Sequence, residues 1–193
     1  MILPIRVFGD PALRQTTEPV EHDSDELQAL LDDMIETMRS ANGIGLAAPQ
    51  VGRSERLFVI DLAPMAAELE EEGETIPPQP MILINPQIEH ASRDTCRMEE
   101  GCLSIPDVRE MVQRPETVRL RYLDRDLEEQ QIEAEGFLAR VLQHEHDHLD
   151  GVLFTDYLSA FRKRLLKRQL RAMKEGNAEA DYPLASDAEH APA

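Results

Sequence analysis

The residues best suited to chemistry stand together at His144-Glu145-His146-Asp147-His148. On a helix, at about 100° per residue, His144 and His148 lie only ~40° apart around the axis, so both imidazoles can reach one cation. Glu145 follows its histidine by ~100°. Its carboxylate then sits beside such a cation rather than on it, where it can take a proton from water that the cation activates. His146 lies ~200° round from His144, points away, and is expected to be a solvated surface residue. Two imidazoles need a third ligand. The longer pattern H-E-x-x-H-x-x-G-x-x-H requires a histidine at position 154, where this chain has Phe154. Glu175, Glu179 and Glu189 are the downstream alternatives. Upstream, Cys102 in Glu100-Gly101-Cys102-Leu103-Ser104 offers a thiolate, and Gly101 lets the backbone approach closely. One cysteine and two histidines would leave a fourth position open for water. A buried apolar role is the competing reading of Cys102, and Cys96 has no comparable surroundings in sequence. Two cysteines in 193 residues do not make a disulfide framework, so both are expected to be reduced.

These side chains need elements to hold them. Residues 137–154 read as a helix ended by Gly151, with Phe137, Leu138, Val141, Leu142, Glu145, His148 and Leu149 on one broad face. Residues 24–40 read as an amphipathic helix capped by Ser24, with Leu27, Leu30, Leu31, Met34 and Met38 at helical spacing. Between this helix and a strand at 56–62, residues 41–52 form a loop with an apolar middle. Further strands are expected at 81–88, closed off by Asn85-Pro86, at 117–124, and at 130–136. Residues 96–106 contain one turn glycine and end before a proline. The acidic, proline-rich stretch 63–80 suits an exposed loop. Residues 156–175 read as a second long helix with Leu158, Phe161, Leu165, Leu166 and Leu170 on its apolar side. From Gly176 the chain turns small and polar and is expected to fray. Runs of strands with few helices give an α+β fold rather than alternating βαβ units. The length fits one domain over 1–175 followed by a flexible tail over 176–193.

Charge narrows the function classes. The formal net charge of −18 argues against a protein that wraps nucleic acid with its whole surface. Residues 161–175 break the trend, with seven basic side chains and one acidic. No apolar run approaches the roughly 18 residues needed to cross a bilayer. The start lacks a basic segment followed by an apolar run, so no secretory leader, no membrane partner and a cytoplasmic location are expected.

Three segments in order resemble the peptide deformylase family. Gly43-Ile44-Gly45-Leu46-Ala47-Ala48-Pro49-Gln50 is similar to its G-x-G-L-A-A-P-Q motif, Glu100 to Ser104 to its E-G-C-L-S, and His144 to His148 to its H-E-x-D-H, with Gln143 ahead. The similarity runs from about residue 4 to 170, and Ile105-Pro106 after the second motif resembles the common bacterial type. The resemblance implies small antiparallel or mixed sheets packed around a central helix that carries the histidines, with a C-terminal helix. It implies hydrolytic removal of the N-formyl group, as formate, from formyl-methionyl peptides emerging from the ribosome. By the same resemblance Cys102, His144 and His148 bind one divalent metal ion and Glu145 is the acid/base. The Gln50 amide, helped by the Leu103 backbone N–H, holds the oxyanion. The family's metal is usually Fe(II), and Zn, Ni or Co can occupy the same site.

The substrate contacts are read from the residues beside these motifs. Ile44, Gly45 and Val141 are expected to wall a tight site, with Ile44 and Val141 lining a slot for the methionine side chain. The backbones of Gly45 and Leu103 can bond an extended peptide. Arg109 is expected to pair with Glu100 at the edge of the slot. The basic helix 161–175 suits a salt-sensitive contact with ribosomal RNA, without sequence-specific recognition of nucleic acid. Two rivals remain at this point: a zinc endopeptidase with a third ligand other than Cys102, and a non-catalytic protein whose metal is closed off by a fourth protein ligand.

Overall fold

The computed structural model describes residues 1–185. Its frame is a five-stranded antiparallel sheet of β1 (Gly45–Ala47), β2 (Leu57–Ile60), β3 (Met81–Ala91), β6 (Thr117–Leu123) and β7 (Glu129–Glu135), in the order β1-β2-β3-β6-β7. A separate hairpin pairs β4 (Thr95–Cys102) with β5 (Ile105–Pro115). The helices are α1 (Asp25–Ser40), the short α2 (Ala66–Glu71), α3 (Gly136–Leu149) and α4 (Ala160–Lys174).

The sheet is buried on both faces at β1, β2 and the start of β3, while β7 and the far end of β3 are largely exposed, and strand alternation distributes the side chains. Leu57 and Val59 of β2 point to α1, where Leu27, Leu31, Met34 and Met38 meet them. Phe58 and Ile60 point the other way, into a cluster with Leu138, Val141 and Leu142 of α3. A third cluster, with Leu13, Ile105, Val108, Val112, Phe154 and Met173, lies under the hairpin. Thus α3, which carries the histidines, has the sheet on one side, and its polar residues reach the hairpin on the other. The α+β architecture around this helix is as expected. Ser24 caps α1 by accepting the Leu27 N–H.

Several local expectations are corrected. The segment after Cys102 is a strand, β5, whose inward positions include the polar Glu110 and Arg114 along with Val108 and Val112. Those polar residues hide the alternation from a hydrophobicity reading. β3 does not end at Asn85-Pro86. It bulges there, with Asn85 at φ 50° and a register shift before Gln87, and runs on to Ala91. Within 41–52 the chain forms β1 and a 3₁₀ turn, Ala48–Val51.

The acidic stretch 63–80 is not merely an exposed loop. It contains α2, buries Leu69, and places the Glu74 carboxylate where it accepts the Phe137 N–H at the start of α3. A negative charge there satisfies an orphan donor and complements the helix dipole.

The last helix begins later than expected, after a Ser159 cap. Phe161 and Leu165 of the expected apolar side are exposed. Leu166 and Leu170 make the contact as expected, joined by Met173, because only the far part of α4 reaches the third cluster. Beyond Gly176 the chain does not fray at once. Residues 183–185 run beside Ile5, with Ile5 N–H to Pro183 O at 2.9 Å and Ala185 N–H to Ile5 O at 2.9 Å. The rest of the expected tail, 186–193 with Glu189, lies outside the described residues.

Candidate metal centre and catalytic groups

The hairpin ends in a tight turn, with Cys102 opposite Ile105 and Leu103-Ser104 between them. This turn delivers Cys102 to α3. Its Sγ lies 3.3 Å from His148 Nε2, and the donor atoms of Cys102, His144 and His148 all lie within 4.8 Å of one another. A tetrahedral ion with bonds of about 2.0–2.3 Å needs its ligand atoms roughly 3.3–3.8 Å apart, so the Sγ–Nε2 separation already matches. His144 Nδ1 is 2.9 Å from Glu100 Oε2. The Glu100 carboxyl is held well below the usual carboxylate range: burial opposes ionisation, but His144 and Arg114 outweigh it. An ionised carboxylate only accepts, so Nδ1 donates and Nε2 of His144 is left to bind.

Charge in the site asks for a cation. The His144 imidazolium is favoured despite full burial because Cys102 and Glu100 surround it with acceptors and negative charge. His148 is pushed the other way, by burial and by the neighbouring His144 charge. A soft thiolate with two imidazoles suits a transition-type divalent ion, and such an ion would supply the positive charge these acceptors favour. Among the described residues no further His, Cys, Asp or Glu joins the three donors. The set therefore resembles an open, catalytic site rather than a closed structural one. Among the described residues the downstream ligand alternatives are not brought to it. Phe154 stacks on the His144 ring at 6.1 Å, Glu175 is taken by Arg171, and Glu179 is exposed.

Glu145 is buried on the same helix, and its Oε2 has no hydrogen-bond partner within the protein. Burial, helped by the Glu100 charge and opposed by His144, pushes its carboxyl up to about 7. Space for it is made by Gly45, where an added Cβ would lie 2.7 Å from Glu145 Cδ. Gly45→Ala is therefore expected to fold but to displace the carboxylate. Displacement by about an ångström costs on the order of 10²-fold in kcat, which steady-state kinetics at full metal content would read.

Gln50 sits in the 3₁₀ turn after β1. Its Oε1 accepts the Ala47 N–H at 2.8 Å, which turns Nε2 toward Cys102 Sγ at 3.4 Å and Ser104 Oγ at 3.2 Å. The amide is thus locked with its donor end facing the candidate metal site. Leu103, in the turn, packs against the α1 side of the core. Ile44 and Val141 both pack in the cluster between sheet and α3, Ile44 partly buried and Val141 buried. β1 is one of the two edge strands of the sheet, so Gly45 lies where an extended chain can add.

Arg109 departs from expectation. Register pairs it with Gly101, on the outer face of the hairpin, where it lies 3.9 Å from Glu99. Glu100 faces inward instead and is gripped by two arginines the sequence reading missed. Arg114 bonds both its carboxylate oxygens, at 2.6 and 3.0 Å, and Arg140 adds a bond at 2.8 Å. A signal for Arg140 existed, since it precedes His144 by one helical turn and shares its face. His146 points away from the donors as expected but is not solvated. It is largely buried, with its Nε2 3.3 Å from Arg56 and its ring pushed toward the neutral form by burial.

The polypeptide deformylase family model matches residues 2–164. The chain is 67% identical over 184 residues to a peptide deformylase of Salinibacter ruber, covering 95% of this chain and 94% of that protein. Its fold is similar to the crystal structure of a peptide deformylase from Legionella pneumophila, with a TM-score of 0.78 at 39% identity over 91% of this chain and 96% of that one. It is also similar to that of the Ehrlichia chaffeensis peptide deformylase, with a TM-score of 0.81 at 36% identity over 91% and 98%. A match that spans nearly the whole of each chain leaves no room for a shared fragment on a different scaffold, and the chain belongs to the polypeptide deformylase family.

Proposed function

We propose that Cys102, His144 and His148 hold one divalent metal ion, and that Glu145, Gln50 and the Leu103 N–H carry out the removal of N-formyl groups from newly made polypeptides, the reaction of this metal-dependent family. The observation that carries this reading is the Cys102 Sγ brought to 3.3 Å from His148 Nε2 beside a buried Glu145 carboxyl group whose Oε2 has no partner. When bound, the metal supplies Lewis acidity toward water and the formyl carbonyl. Glu145 takes the proton of the attacking water and passes it to the departing amine. Negative charge grows on the formyl oxygen, and the Gln50 Nε2–H and Leu103 N–H donate to it. One such donor is worth about 3 kcal/mol in comparable hydrolases.

The peptide extends along the open edge of β1, bonding the Gly45 and Leu103 backbones. Ile44 and Val141 line the methionine slot. Arg109, exposed beside Gly101, is left to contact the chain beyond the methionine rather than to brace Glu100. The catalytic domain spans 1–175, extended by the segment that packs along Ile5. We place it in the cytoplasm with its substrate and assign Fe(II) as the native metal, since thiolate and imidazole ligands accept it as they do zinc.

Anaerobic purification with metal quantitation and an assay on formyl-Met-Ala-Ser tests this reading. Fe(II) with formate release is expected in the parent. Cys102→Ser is expected to lose metal or activity. Full metal content together with parental deformylation in Cys102→Ser would overturn it.

The basic residues of α4 favour a contact with ribosomal RNA. Arg164, Lys167 and Arg168 are exposed. Changing these three to glutamate in the full chain is expected to weaken ribosome co-sedimentation and flatten its salt dependence. Unchanged co-sedimentation would remove this contact from the proposal.

A further inference from the structure

The turn that presents Cys102 and Leu103 is held from three distant parts of the chain. Phe8 donates its N–H to Ser104 O at 2.8 Å. Gln50 donates to Ser104 Oγ at 3.2 Å. From the far end of the chain, Tyr182 donates its hydroxyl to Leu103 O at 2.7 Å. Tyr182 and Leu184 pack with Leu103 and Leu3 against the α1 side of the core. The segment they belong to pairs with Ile5, and the next residue, Arg6, gives its N–H to Gln50 O at 2.7 Å. Residues 5–8 therefore form one bracket that ties together the C-terminal segment, Gln50 and the turn.

We propose that Tyr182 is a positioning residue for deformylation, fixing through the Leu103 carbonyl the turn that aims the Cys102 sulfur and the Leu103 N–H. This inference rests on the functional reading above, in which that N–H meets the oxyanion. A two-residue turn has few internal bonds to set the tilt of its peptide planes. The Leu103 carbonyl shares a rigid peptide plane with the Ser104 N–H, and only φ and ψ of Leu103 separate that plane from the one carrying the Leu103 N–H, so pinning the carbonyl narrows the directions that N–H can take. The Tyr182 hydroxyl removes that freedom, while Phe8 and Gln50 hold the neighbouring Ser104. Tyr182 does not touch the reacting atoms. Its contribution appears where donor alignment matters most, in the transition state rather than in ground-state binding.

The test is Tyr182→Phe in the metal-loaded full chain, which removes one oxygen and keeps the ring in its packing. The expected result is a kcat lower by about five- to tenfold on formyl-Met-Ala-Ser, as for one aligned hydrogen bond. KM and metal content are expected to stay unchanged, with a thermal midpoint within a few degrees of the parent. A second variant, ended after Asp181, loses the whole segment and is expected to show at least the same fall in kcat at full metal content. Parental kcat in either variant overturns the proposal. So does a loss in Tyr182→Phe that tracks lost metal or lost folded protein, which is what a purely structural anchor would give. A parent chain that releases no formate would instead sink the functional reading itself.

Discussion

Glu145→Ala is expected to keep its metal and to lose about 10²–10⁴-fold in kcat, the range spanned by a single general acid–base group. The retained metal follows from geometry. The three donors are Cys102, His144 and His148, and Glu145 is not among them. The loss follows from position. The carboxyl group is buried one residue after His144, has one oxygen without any protein partner, and is raised by burial to about 7, close to neutral pH, which suits the proton exchange proposed for it. Removing a carboxylate whose burial is poorly compensated is also expected to leave the fold no less stable. Metal quantitation alongside kcat and thermal unfolding checks all three statements. Metal lost in proportion to activity would show that Glu145 is a ligand, and parental turnover would show that the proton moves elsewhere.

Glu100→Ala is expected to cost about 3–5 kcal/mol of stability, the usual result of leaving buried charges without their partner. Arg114, Glu100 and Arg140 side chains are each only 3% exposed, so solvent does not screen the loss. Arg114 keeps Asp147 at 2.6 Å, but Arg140 is left with the Val112 and Cys96 carbonyls and a thiol. Against a total of about 5–15 kcal/mol this is a large fraction of what holds the fold. The same change strips His144 Nδ1 of its acceptor, and metal affinity is expected to fall by about 10–100-fold, as for other outer partners of ligand histidines. Denaturant unfolding of the metal-free protein reads the first effect, and competition with a chelator reads the second. Glu100→Gln, which still accepts from His144, is expected to recover part of the affinity and little of the stability. A Glu100→Ala protein as stable as the parent would mean that the two arginines find water instead.

Both effects depend on how local pattern and distant packing divide the work. The spacing of His144, Glu145 and His148 sets their directions on any regular helix, because 3.6 residues per turn leaves no choice. The helix of α1 and its Ser24 cap were legible for the same reason: the hydrogen bonds and the apolar stripe are local. The three motifs were enough to resemble one family and to nominate Cys102. Strand β5 was missed because its inward face carries Glu110 and Arg114, which lower the contrast between its two sides. The pairing of Arg109 with Glu100 failed on parity. In the antiparallel register Arg109 faces Gly101, and its side chain leaves by the surface opposite to that of Glu100.

The sequence by itself determined what each segment offers: two imidazoles and a carboxylate on one helical turn, a thiol in a glycine-bearing turn, and an amide after a proline. Only the tertiary structure decided that these offers meet. Cys102 and His148 are separated by 46 residues, and Tyr182 reaches Leu103 across 79. No local period carries such a distance. It is set by which faces of the sheet, the hairpin and α3 can bury their apolar side chains together, and by the two arginines that make a buried Glu100 tolerable between them.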